Sequence, residues 1–122
     1  PKKSRQYEES AFNLTNLNHA LLSYISALGV HKHAESLTLK EREFCRNISI
    51  VLQYVTELLN GTADISQLDS LLQTANHWEE SLEELQHDAT NRRAGLIYNI
   101  AHVSRELLIE TNKMKDIEKR NN

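Results

Sequence analysis

The chain has 122 residues, which suits one domain with a core large enough to fold without a metal or disulfide staple. Apolar residues make up 39% and charged residues 25%, a balance typical of globular rather than disordered proteins. The net charge of −3 argues against general nucleic-acid affinity, and the lone Cys45 excludes an internal disulfide.

Glycine and proline, the residues that most often interrupt helices, are scarce along the whole chain. It contains three Gly and one Pro, and that Pro is residue 1, so long helices are favoured over a fold of strands and turns. The sequence opens with Pro1 rather than Met, and no apolar signal segment follows the first lysines. We therefore expect residues 1–122 to be a single helical domain cut from a longer protein.

The first helix is predicted from about Tyr7 to about Glu35. Its aliphatic residues recur at spacings of three and four, which places them on one helix face: Leu14, Leu17, Leu21, Ile25 and Leu28. No Asp, Glu, Lys or Arg occurs from Ser10 to His31, but the many amides and hydroxyls in that run make it a poor membrane span.

The second and third helices begin at recognisable caps. Thr38 and Glu41 have the spacing of a capping box, Asn60-Gly61 is a typical helix end, and Asp64 repeats the capping pattern before the third helix. The predicted core stripe of the second helix is Phe44, Ile48, Val51, Val55, Leu58 and Leu59. That of the third helix is Leu68, Leu71, Leu72, Ala75, Trp78, Leu82 and Leu85.

The fourth helix follows a break near His87–Thr90, where Asp88 or Thr90 is the candidate cap. Its predicted inward residues are Ile97, Ile100, Ala101, Ser104, Leu107, Leu108 and Thr111, and it is expected to fray from Lys113 to Asn122. Four stripes of similar length with short connections predict an all-α fold, an antiparallel four-helix bundle in up-down-up-down order.

The candidate metal-binding residues are a Glu-x-x-His pair and two closely spaced histidines. Glu84 and His87 form the one Glu-x-x-His pair, and they lie opposite the third helix's core stripe on a predicted solvent face. In a helix His31 and His33 point about 200° apart, so only an unwound end would let them share a metal.

The remaining reactive and basic residues also suit ordinary structural roles. Cys45 is interpreted as a semi-buried thiol, and Arg92, Arg93 and the tail Lys113–Arg120, which could touch acidic lipid or phosphate, as solvated helix ends. No phosphate loop or nucleophile elbow is present. The sequence therefore predicts no catalytic, cofactor-binding or metal-binding residue and no enzymatic activity.

The uncharged face of the first helix is the unusual feature. Opposite the leucine stripe lie Phe12, Asn16, His19, Ser23 and Ser26, whereas the other helices carry charges on their outer faces. Protein interfaces are depleted of charge at their centre, so these five residues form a candidate interface with another part of a parent protein or with a second copy. The alternative, equally open, is a helix wedged centrally in its own bundle.

One segment resembles a known family. The pieces Leu17-Asn18-His19 and Ser23-Tyr24-Ile25-Ser26-Ala27-Leu28-Gly29, within residues 17–32, resemble the C-terminal region of YccS/YhfK-type bacterial inner-membrane proteins. These belong to the fusaric-acid-resistance superfamily, which includes aromatic acid exporters. Val30 and Lys32 depart mildly from the Ala and Arg of the family pattern, and elsewhere the likeness is only a compatible run of helices.

The resemblance implies a domain on the cytoplasmic face of the bacterial inner membrane, attached to transmembrane helices that lie outside this chain. Its expected function is that of a non-catalytic interaction or regulatory domain of an exporter-like efflux protein, and the resemblance supplies no catalytic residue in this region. We expect no cofactor and, from the net charge, no nucleic-acid partner. The alternative is a free-standing helical adaptor that binds another protein through its first helix.

Overall fold

The computed structural model describes residues 2–31, 37–86 and 92–121. These residues form four α-helices: α1 (Lys2–His31), α2 (Leu39–Asn60), α3 (Leu68–Gln86) and α4 (Arg92–Asn121). A short 3-10 helix, Ile65–Gln67, leads into α3, and the described ranges contain no strand. The predicted all-α four-helix bundle is confirmed.

The predicted ends of α2 are both confirmed. The Thr38 hydroxyl accepts a hydrogen bond from the Glu41 amide at 3.1 Å, and Glu41 Oε1 accepts one from the Thr38 amide at 2.9 Å. Together these bonds satisfy two amides that a helix start leaves without intrahelical partners. At the other end Gly61 takes the left-handed conformation, with φ of 75°, and its amide donates to carbonyls of the last turn.

Asp64 organises the turn between α2 and α3. Its carboxylate accepts hydrogen bonds from the Ser66 amide at 3.0 Å and from the Ser66 hydroxyl at 2.7 Å, and these bonds lower the pKa of Asp64. The Tyr54 hydroxyl donates to the Asp64 carbonyl at 2.8 Å. The cap predicted at Asp64 therefore starts the 3-10 helix and also ties the turn back to α2.

Helix α4 lies at the centre of the bundle. Within the described residues, α1, α2 and α3 each pack against α4, and the rings of Phe44 in α2 and Trp78 in α3 also meet, with centroids 6.2 Å apart. Tyr7 bonds to Glu118 at 3.1 Å and Asn13 to Glu110 at 3.4 Å, so α1 is antiparallel to α4. Helix α2 is parallel to α4, because Glu41 at its start meets Arg93 at the start of α4, and Leu59 near its end lines a groove with Leu107 and Thr111, farther along α4. This is the predicted up-down-up-down order.

The core lies mainly where predicted, with two corrections. All seven inward residues predicted for α4 are buried, as are Leu21 in α1 and most of the α2 stripe. Ile25 and Leu59, however, are 44% and 46% exposed, so their assignment to the core was wrong. Both lie on the flanks by which α1 and α2 face each other, and these flanks stay open because each helix packs on α4 instead.

The predicted fraying of α4 is also wrong. The helix continues to Asn121, and Met114 and Ile117 are buried against the first turns of α1, which begins at Lys2 rather than near Tyr7. The predicted core side chains Leu82 and Leu85, the end of the first helix near Glu35 and the break at residues 87–90 lie outside what the structure describes.

Candidate protein-interaction surface

The five predicted interface residues are all exposed on one side of α1. Phe12, the largest of them, has 66% of its surface exposed. Asn16, His19, Ser23 and Ser26 lie along the same side and are exposed too. The competing explanation, in which this face of the helix is wedged inside the bundle, is therefore wrong: α1 buries its other face against α4.

The uncharged region is wider than the sequence indicated. Leu22, 54% exposed, and Ile25 extend it from the predicted face of α1 toward α2. Helix α2 contributes a second run without charge, from Asn47 to Thr56. We define the uncharged surface as the exposed residues Phe12, Thr15, Asn16, Asn18, His19, Leu22, Ser23, Ile25 and Ser26 of α1, with Ser49, Gln53, Thr56 and Leu59 of α2.

A groove of about 470 Å³ runs along the uncharged surface between α1 and α2. Its walls are mostly aliphatic, and α4 forms its floor; the lining residues are Leu14, Thr15, Asn18, Leu21, Leu52, Val55, Thr56, Leu59, Leu107 and Thr111. Thr111 is fully buried, and its hydroxyl has no hydrogen-bond partner in the described part of the chain. The groove is therefore apolar with a few neutral polar groups.

The cleft between α1 and α4 has a different character. It encloses about 420 Å³ and is lined by four charged side chains, those of Glu9, Lys113, Asp116 and Arg120. The absence of charge is thus a property of the α1–α2 side and not of every cleft in this bundle.

Charged residues stand at the two ends of the uncharged surface. Exposed Arg42 and Arg46 precede Ser49 and Gln53 on the same stripe of α2, by the helical spacing. Exposed Arg5 and Glu8 precede Phe12 and Thr15 on the corresponding stripe of α1. Because α1 and α2 run in opposite directions, Arg42 and Arg46 lie at one end of the surface, and Arg5 and Glu8 lie at the other.

A buried ion pair joins α2 to α4. Arg93 Nη2 lies 3.1 Å from Glu41 Oε1, and the two residues are 6% and 2% exposed. Arg93 was predicted to be a solvated helix end, and that prediction was wrong. The cause is long-range: the capping-box carboxylate of α2 faces the first turn of α4, and a buried carboxylate needs a cation beside it.

Cys45 and the described carboxylates and histidines were the other residues that could carry reactive or metal-binding chemistry. Cys45 is half-buried, and burial, followed by the nearby Glu41 carboxylate, raises the pKa of its thiol, so less of it is the nucleophilic thiolate. The described residues contain no group of three His, Cys, Asp or Glu placed to hold a metal. Glu80 is exposed as predicted, whereas the side chains of Glu84, His87, His31 and His33 lie outside the description.

Neither a membrane span nor a known relative identifies this chain further. Within the described ranges no helix has both the length and the apolar character needed to cross a bilayer. No protein-family model matches the chain, and neither does any curated protein or any solved structure. The resemblance over residues 17–32 therefore stays a prediction.

Proposed function

We propose that this chain is a non-catalytic interaction or regulatory domain that binds a protein partner through its uncharged surface. The observation that carries the proposal is the exposed side of α1, where Phe12, Leu22 and Ile25 stand among amides and hydroxyls without a formal charge. Removing such a side from water costs little, because no ion has to lose its hydration.

The groove supports the same function. Between α1 and α2 the aliphatic side chains Leu14, Leu52 and Leu59 line an open channel rather than a closed core. Channels of this kind accept an apolar ridge or helix of another protein. A partner would cover apolar area that the isolated chain leaves in contact with water.

We further propose that the parent is an exporter-like protein of the bacterial inner membrane, with this domain on its cytoplasmic face. The support is the resemblance of residues 17–32 to the YccS/YhfK type, and the partner is then another cytoplasmic part of that protein or a second copy. The coding sequence upstream of Pro1 tests this: several transmembrane stretches are expected there. A start codon close to Pro1 would instead favour a free-standing adaptor.

The interaction itself is tested by site-specific photo-crosslinking in cells that make the natural protein. A photoreactive amino acid at His19, on the uncharged surface, is expected to give a discrete adduct that the added substitution Ser23→Glu removes. The matched position is Gln73, which is exposed on α3 and should give none. Absence of any adduct at His19, or equal adducts at both positions, would contradict the proposal.

A further inference from the structure

We infer that the groove between α1 and α2 is a binding site for a small, neutral, largely apolar molecule that carries one hydroxyl group. This inference goes beyond the proposed function, because the groove alone forms the site and no protein partner is needed. Two independent observations carry it: the uncharged aliphatic lining of the groove, and a buried threonine hydroxyl without a hydrogen-bond partner among the described residues.

The size of the groove suits a small molecule. Its volume of about 470 Å³ lies within the range of roughly 300–1,000 Å³ found for small-molecule sites, which also occur between the helices of bundles. The lining runs from Leu14 to Leu21 on α1 and from Leu52 to Leu59 on α2, which is roughly 10 Å on each helix at 1.5 Å per residue. A compact molecule or a chain of medium length therefore fits the groove, whereas a long acyl chain exceeds it.

The lining of the groove favours a ligand without charge. The buried side chains Leu21, Val55 and Leu107 lie at its base, and half-buried Leu14 and Leu52 line its sides. None of the described residues that line it carries a formal charge. A carboxylate or ammonium group seated there would lose its hydration without gaining a counter-ion, which is strongly unfavourable. An alkyl or aryl body instead covers aliphatic surface and removes it from water.

Thr111 supplies a hydrogen-bonding group at the base of the groove. The residue is fully buried, and its hydroxyl has no hydrogen-bond partner within the described residues. A buried hydroxyl without a partner is unfavourable, so a ligand that bonds to it gains binding free energy. Threonine in a helix has two accessible χ1 rotamers, so rotation about the Cα–Cβ bond turns the hydroxyl toward the groove that Thr111 lines.

The threonines at the rim of the groove favour a hydrogen-bond donor on the ligand. Thr15 donates its hydroxyl proton to the Ala11 carbonyl at 3.0 Å, and Thr56 donates to the Leu52 carbonyl at 3.1 Å. Both hydroxyl oxygens keep lone pairs but no free proton, so toward a ligand they act as acceptors. A hydroxyl group on the ligand suits both needs, because it donates to such an oxygen and also accepts from Thr111.

The order of the lining residues sets the orientation of the ligand. Because α2 is parallel to α4 and α1 is antiparallel to it, Thr111 lies at the level of Leu14 and Leu59, at one end of the groove. Leu21 and Leu52 lie at the other end. The hydroxyl of the ligand therefore lies beside Thr111, and its apolar body extends toward Leu21 and Leu52.

The experiment is a titration of the isotope-labelled 122-residue chain with 1-octanol, followed by NMR chemical shifts. This probe has a single hydroxyl on a chain of medium length, and octanoate, which has the same chain length, is the charged control. We expect saturable shifts at groove residues such as Asn18 and Val55, with a Kd of about 1 mM or below. Octanoate at neutral pH should bind about tenfold more weakly. Equal binding of octanoate would overturn the choice of a neutral ligand.

Two matched variants locate the site. Leu59→Trp enlarges a side chain that lines the groove, whereas Ile50→Trp makes a comparable change on α2 outside the lining, at a similar exposure of 49% against 46%. We expect Leu59→Trp to weaken 1-octanol binding about tenfold or more, because the larger ring occupies the groove, and Ile50→Trp to leave it unchanged. Circular dichroism should show unchanged helicity in both. Equal binding by the two variants would overturn the groove as the site.

Thr111→Val tests the hydrogen bond at the base of the groove. Valine keeps a similar shape without the hydroxyl, and no partner loses a hydrogen bond among the described residues, so the fold should be kept. We expect 1-octanol to bind about threefold to tenfold more weakly, the effect of one net hydrogen bond. Unchanged binding would overturn the role assigned to Thr111.

The remaining outcomes separate this inference from the proposed function. Shifts that do not saturate, or that appear at exposed apolar residues away from the groove such as Leu22 and Leu39, overturn the ligand site. Crosslinking at His19, which does not line the groove, reports on a protein partner independently. Binding of 1-octanol without a crosslink supports the ligand site and contradicts the protein interaction. A crosslink without saturable 1-octanol binding does the reverse.

Discussion

At the scale of single residues, Glu41 connects local and long-range structure. Its carboxylate closes the capping box with Thr38 and also pairs with Arg93 in α4. The first role was predicted from the sequence because the two residues are three apart. The second could not be, because Glu41 and Arg93 are 52 positions apart and only the assembled bundle brings them together.

The ion pair gives a prediction about stability. Arg93→Met keeps most of the side-chain volume but leaves the buried Glu41 carboxylate without its cation, so it should lower the free energy of unfolding by about 3–5 kcal/mol. Arg46→Met, the same change at an exposed site of α2, should alter it by less than about 0.5 kcal/mol. Urea unfolding measures both. Similar values for the two variants would show that the pair contributes little.

At the scale of helices, periodicity predicted which residues can face a core but not which neighbour lies on each side. Leu59 and Ile25 fit their stripes, yet they stay exposed because α1 and α2 leave a groove between them. The fourth helix was predicted to fray from Lys113 onward, but it continues as a helix and buries Met114 and Ile117, which are three residues apart. In each case the exposure of the residue depends on where a neighbouring helix runs, which the periodicity of one helix does not show.

Two glycines give a second prediction. Substitution by alanine should lower the stability at Gly61, which ends α2, and raise it at Gly95, which lies inside α4. Gly61→Ala should destabilise the protein by about 1–2 kcal/mol, because φ of 75° is unfavourable for a residue with a Cβ. Gly95→Ala should stabilise it by about 0.5–1 kcal/mol, since Gly95 is exposed inside α4 and an added Cβ meets nothing within 4 Å. Thermal unfolding distinguishes them. A loss at both positions would mean that α4 does not begin as a regular helix.

At the scale of the whole molecule, the candidate interface could be predicted for one helix but not for its partner. The charge-free run from Ser10 to His31 pointed to α1 directly. The run from Asn47 to Thr56 carries the same signal, but its meaning depends on the two helices lying side by side with their neutral flanks together.

The central position of α4 leads to the last prediction. Amides between Ile97 and Leu108 lie where α4 packs against all three other helices, so freeing them requires the bundle to open as a whole. In native-state hydrogen exchange they should show the free energy of global unfolding. Amides of α1 before Ser10 have α4 as their close helix neighbour. They should therefore exchange through smaller, local openings.

A substitution in the core tests whether all four helices open together. Leu108→Ala removes a fully buried side chain, so it should lower protection of the slowest amides in every helix together, by about 2–5 kcal/mol. Leu22→Ala, at an exposed position, should leave them nearly unchanged. If only α4 responded to Leu108→Ala, the helices would open independently and α4 would not be the element that joins them. Uniform loss is expected because α1, α2 and α3 each pack against α4 and share the core that its buried face forms.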